Sequence, residues 1–185
     1  MRKLLIVEPI IKGVLLLVLM IVGLFVVPIA LLFKQPLNTT NNNGLFLPYR
    51  LPRWAWLWDN DRDGVQGDNG FNFEHCPSYG LKYGGFLCNY IWLAFRNPVS
   101  NASWKFGVDA YIERLEKDGN WSFAYASNGK CYPWYHYVSD KVIFYVGYQN
   151  ENVQKTPEHY KYNIGFALGL NNETINNYVT SCYSL

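Results

Sequence analysis

The 185-residue chain lacks the sequence patterns that usually mark a reaction. Its four cysteines, Cys76, Cys88, Cys131 and Cys182, include no CxxC pair. A zinc site would have to be assembled from distant positions with His75, His136 or His159. No Gly-rich nucleophile elbow, phosphate loop or paired-carboxylate frame is present. His75 and Cys76 are adjacent, but neighbours in sequence need not face each other, and nothing accompanies them as a base or orienting group. The expectation is therefore a protein that is not an enzyme and needs no cofactor. A strong basic field is missing too: the net charge is +2 and the lysines and arginines are scattered, which sets nucleic acid aside as a partner.

Charge is also absent from residues 13–33, GVLLLVLMIVGLFVVPIALLF. At about 1.5 Å rise per residue, such a run spans a hydrocarbon core of about 30 Å and predicts a transmembrane helix. Pro28 removes one backbone donor near the end of the run, which a membrane helix tolerates. A cleaved signal peptide would have a shorter apolar region and a small-residue cleavage site, and PIALLFKQPLN offers neither. Arg2, Lys3 and Lys12 stand before the run against Glu8, while Lys34, Arg50 and Arg53 follow it. The bias points to a single-pass protein of an inner membrane, with its N-terminus cytoplasmic and its body outside.

Residues 1–34 thus read as tail and anchor, 35–49 as a linker, and 50–185 as the body. The linker assignment rests on QPLNTTNNNG, which has no apolar periodicity. Arg50, Arg53, Trp54, Trp56 and Trp58 follow closely. These side chains suit a membrane interface, or the tryptophans cover a face of the body's core.

The body predicts a small antiparallel sheet. Runs at 104–115, 121–127, 131–139, 141–149 and 160–170 are short, aromatic and β-branched, and turn signals such as KDGN and SNGK punctuate them. In KVIFYVGYQ the period of two places Val142, Phe144, Val146 and Tyr148 on one face. Both faces are partly apolar, so cover is expected on each side. The segment GGFLCNYIWLAFRNP, residues 84–98, predicts a short apolar helix ending before Pro98 and supplies a candidate cover. The fold class expected is α+β: an N-terminal transmembrane helix, then a small antiparallel β-sheet body with one short apolar helix.

WAWLWDNDRDG, followed some thirty residues on by YIWLAFRNPVSN, resembles a family of small membrane-associated proteins encoded by tailed bacteriophages. In that family a Trp-rich run leads into an NDEDG-type turn and then an RNPxxN segment. The resemblance covers about residues 50–101, and YKYNIGFALG is similar to the family's closing aromatic strand. It implies a phage accessory protein with a membrane anchor, and no mechanism. Arg62 departs from the pattern, where an acid is usual, and Asp59 is not shared.

The acidic stretch carries two readings. Counted from Asp59, a calcium loop would use Asp61, Asp63 and the carbonyl of Val65, with Gly64 at the sharp turn. The twelfth position is Gly70, which removes the bidentate ligand, although Asp68 or Glu74 could close a looser cage. The other reading is an Asx-type turn in which these side chains bond nearby backbone N–H groups. Cysteine pairing is equally open, since four cysteines allow three complete pairings if the body is exported. In a reducing compartment they act as small hydrophobes. Asn38, Asn101, Asn120 and Asn172 lie in NxS/T sequons, which an Asn-rich chain produces by chance.

Two function classes follow. One is a membrane-tethered interaction protein whose partners are the bilayer and a host-envelope or phage protein. The other is a virion component whose apolar segment packs in protein.

Overall fold

In the computed structural model, residues 6–40, 46–68, 71, 76–82, 84–139, 142–150 and 157–168 are described. The fold is α+β, with a long N-terminal apolar helix, antiparallel sheets and short helices. Helix α1 spans Val7–Leu32. Glu8 suits the positive end of its dipole. Pro9 falls among the first-turn donors that have no intrahelical partner. The last turn tightens, Phe33 N–H donating to Ala30 C=O at 3.0 Å.

The chain divides into two compact units, residues 1–17 with 103–185, and residues 18–102. The boundary falls inside α1.

In the unit of residues 18–102, strands β1 (Gln35–Thr40) and β2 (Phe46–Arg50) pair antiparallel, with Gln35 opposite Arg50. The expected linker thus contains a paired hairpin. Local composition missed it because Pro36 and Asn38 disfavour strands, and the pairing is supplied by Phe46–Arg50. Arg53–Trp58 forms tight 3-10 turns. Helix α2 (Phe86–Ile91) widens at Trp92–Arg96, where Asn97 N–H donates to Trp92 C=O at 2.8 Å. It stops before Pro98, as its sequence predicts. Its core includes Val27, Leu51, Val65, Phe71 and Leu93. Phe71 packs on Trp92 with ring centroids 5.1 Å apart. Gly67, at φ 92°, lies under that indole, where a Cβ would collide.

The other unit holds a six-stranded antiparallel sheet in the order β3-β8-β7-β6-β5-β4. The strands are β3 (Val108–Ala110), β4 (Ile112–Asp118), β5 (Trp121–Ala126), β6 (Cys131–Val138), β7 (Val142–Asn150) and β8 (Glu158–Leu168). From β4 to β8 it is a meander, and β3 closes the far edge beside β8. The turn signals act as expected: Gly119 and Gly129 take φ 58° and 76°, and Asn128 accepts a bond from Lys130 N–H at 2.9 Å.

Two expectations about this unit change. Residues 104–106 are not strand but the end of helix α3 (Ser100–Phe106), and the strand sequence resumes only after Gly107. Val146 and Tyr148 share a face of β7, both meeting α1, and the pairing runs through Gly147 without a shift of register. Burial varies along that face, with Phe144 exposed and Tyr148 buried. Within this unit it is α1 that meets the sheet. A Cβ on Gly13 would lie 3.2 Å from Tyr162 and from Val146. The expected cover, residues 84–98, belongs to the other unit.

Candidate functional site

Helix α1 offers the largest candidate surface. Pro9, Gly13, Leu16, Gly23, Val27 and Ala30 are buried, following the helical period. Most bulky apolar residues on the opposite side are exposed, Phe25 at 70 % and Ile21 at 61 %. Within the most apolar eighteen-residue window, 28 % is buried. By length and composition α1 can cross a membrane.

Polar side chains hold the helix to its own chain through backbone carbonyls. In the sheet-bearing unit, the Tyr162 hydroxyl donates to Pro9 C=O. Lys12 Nζ donates to Phe106 C=O at 3.2 Å and pairs with Glu8 at 2.9 Å, and Tyr148 donates to the same carboxylate. Burial, reinforced by that carboxylate, pushes the Tyr148 hydroxyl well above the usual phenol range. In the unit of residues 18–102, Trp58 Nε1 donates to Leu19 C=O at 2.8 Å and the Tyr90 hydroxyl to Leu24 C=O at 3.1 Å.

The aromatic strip after the hairpin is divided residue by residue. Trp58 is buried against Gly23, where a Cβ would approach its ring to 2.7 Å. Trp54 and Trp56 are exposed, together with Arg50 and Arg53.

The acidic turn is built around Asp59 and Asn60, both 1 % exposed. One carboxylate oxygen of Asp59 accepts from Leu51 N–H at 2.9 Å and the other from Asn60 N–H at 3.0 Å. Burial raises this carboxyl to about 7, the nearby Asp61 charge adding to the effect, while those two bonds and Arg50 oppose it. Asn60 Oδ1 accepts from Arg62 N–H and Asp63 N–H at 3.1 and 3.3 Å, the geometry of an Asx turn. Gly64 closes the turn at φ 64°, its N–H donating to Asn60 C=O at 2.7 Å.

The carboxylates proposed as calcium ligands point to separate partners. Asp61 accepts from Trp56 Nε1 at 3.1 Å, Asp63 from the Asn60 amide at 3.2 Å, and Asp68 from Phe71 N–H at 2.7 Å. Val65 contributes a backbone N–H to Tyr49 C=O at 3.5 Å. Among the described residues, no three acid, histidine or cysteine side chains gather as a metal cluster.

The two sequence motifs meet at Asn101. Its amide donates to Trp56 C=O at 3.0 Å, its backbone N–H to Asp59 C=O at 3.2 Å, and its Oδ1 accepts from Asp61 N–H at 3.4 Å. The last residue of RNPVSN thus fixes the shape of WDND from some forty positions away, a pairing that neither motif reveals alone.

Cys76 and Cys88 form a disulfide, one of the pairings the sequence left open. Cys131 is half-buried, and Cys182 and His75 lie outside the described residues. His136 is buried, which lowers its imidazole below the usual range, the charge of Lys117 adding to this. His159 stacks on Trp104 with ring centroids 3.5 Å apart, and its Nδ1 lies 2.7 Å from Asp109 Oδ1. This His–Asp pair was missed because fifty residues separate its members. Among the described residues its Nε2 has no hydrogen-bond partner, and it abuts Gly107, where a Cβ would come within 2.9 Å. The ring is packed in, with one nitrogen oriented and the other against backbone.

No curated protein and no solved structure matches the chain. Residues 3–180 match a protein family described as a family of unknown function (DUF7338). With nearly its whole length matched, the chain belongs to that family.

Proposed function

We propose that the protein is a membrane-attached interaction module rather than an enzyme. The observation that carries this reading is the exposed apolar surface of α1, left uncovered while its glycine positions pack on the chain's own aromatics. Exposed Trp54 and Trp56 beside Arg50 and Arg53 supply the amphipathic side chains that favour the headgroup region. The Cys76–Cys88 bridge supports an oxidising setting for residues 18–102. Resemblance to phage-encoded membrane proteins supports action at a host envelope, where a host or phage protein is the partner.

Fractionation of infected cells tests the reading. The full chain is expected in carbonate-washed membranes and absent from purified virus particles. Recovery in particles favours a virion component instead, with the apolar surface of α1 packed against another capsid or tail protein.

A further inference from the structure

If α1 crossed a bilayer with residues 13–33 in the hydrocarbon, its midpoint would be Gly23. The carbonyls on either side of that midpoint, Leu19 and Leu24, carry hydrogen bonds from Trp58 and Tyr90. Trp58 is followed directly by the Asp59–Gly64 turn, in which Asp61 and Arg62 are exposed. A crossing helix would carry this irregular, charged turn into the middle of the membrane. Lipid-exposed loops do not occur at that depth, and ionisable side chains there face protein or water-filled cavities.

The exposed positions of α1 point to an occupant. Ile11, Val14, Val18, Ile21, Phe25 and Leu32 are all bulky. The small residues Gly13, Gly23 and Ala30 are all buried. Helix pairs in membranes approach through small residues, and here those are already used by the chain itself. A bulky, unbroken apolar surface on a helix whose other side is held to protein suits acyl chains better than a second copy.

We propose that α1 lies along one leaflet, its exposed apolar side in the acyl chains, and does not cross the bilayer. This rests on the membrane attachment proposed above. The acidic turn then stays in water, and the basic flanks of the helix no longer set an orientation, because the positive-inside bias acts on crossing segments.

The test uses the full chain with Cys131→Ser and Cys182→Ser, which keeps the Cys76–Cys88 bridge. Single nitroxide labels are placed at Ile11, Val18, Phe25 or Leu32, spaced seven residues apart along the exposed side. Each variant is bound to phosphatidylethanolamine–phosphatidylglycerol vesicles, checked by flotation, and its label depth is read from oxygen and nickel-chelate relaxation. The expected result is flotation with four similar, shallow depths. Flotation with Val18 and Phe25 deeper than Ile11 and Leu32 by about 10 Å means a crossing helix, which overturns this inference and leaves membrane attachment standing. Failure to float overturns the attachment reading itself. Self-associated protein with labels shielded from both relaxants would then identify a second copy as the occupant.

Discussion

The Tyr90 hydroxyl donates to the carbonyl of Leu24, the acceptor that Pro28 deprives of its helical donor. In an uninterrupted helix that carbonyl would receive the N–H four residues on, which proline lacks. The phenol replaces the missing bond from a segment sixty-six residues away.

Tyr90→Phe should therefore cost about 1–3 kcal/mol, because it leaves a shielded carbonyl unsatisfied. Pro28→Ala restores the backbone donor, so Tyr90→Phe should cost distinctly less in that background. Chemical denaturation of the four members of this cycle measures the coupling, and strict additivity would show that the two residues act independently.

Asp59 titrates near 7 in the folded chain and near the ordinary carboxylate value when unfolded. Its folded value is raised, so the folded state holds the proton more tightly and stability is greatest below about pH 4. Stability should then fall as the pH rises toward 7, by on the order of 4 kcal/mol at most, and level off above it. Asp59→Asn should flatten that slope, as melting temperatures from pH 4 to 8 would reveal. It should also lower the acid-side plateau, since an amide cannot accept from both Leu51 and Asn60 N–H groups.

Asn101 links Trp56, Asp59 and Asp61. Asn101→Ala removes its two side-chain bonds and should destabilise by about 1–3 kcal/mol. Asn101→Asp should be at least as damaging, because it loses the donor to Trp56 C=O and sets a carboxylate beside the acidic turn. A shift in unfolding midpoint, with tryptophan emission changing before global unfolding, is the expected signature.

The Cys76–Cys88 bridge closes a short loop, with a sequence separation of 12. Cys88→Ser should cost about 2–4 kcal/mol. Thiol titration of the denatured, unreduced protein should find two fewer thiols than after reduction. Equal counts would mean that the bridge is absent from the protein as isolated.

Much of this fold is legible in the sequence, for an identifiable reason. Residues 13–33 give α1 because an uncharged run of that length has few alternatives, and β5 to β8 lie within two residues of their expected positions, the turns on either side of β5 carrying Gly119 and Gly129. The misses share the opposite property. Asn101 with Asp59, Tyr90 with Leu24, and His159 with Asp109 are polar partners far apart in the chain, and no local period encodes them. The β1–β2 hairpin was hidden by residues that disfavour strands singly and are held as a pair.

The order of strands also bears on crowding. The described sheet ends on one side at β4, whose sequence IERLEKD places five charges along seven residues, and on the other at the three-residue β3. Charged or very short borders discourage a neighbouring chain from adding its own strand. A protein concentrated on a two-dimensional surface meets copies of itself far more often than one in bulk solution. At the membrane surface proposed above, such borders would keep neighbouring copies from joining their sheets into fibres.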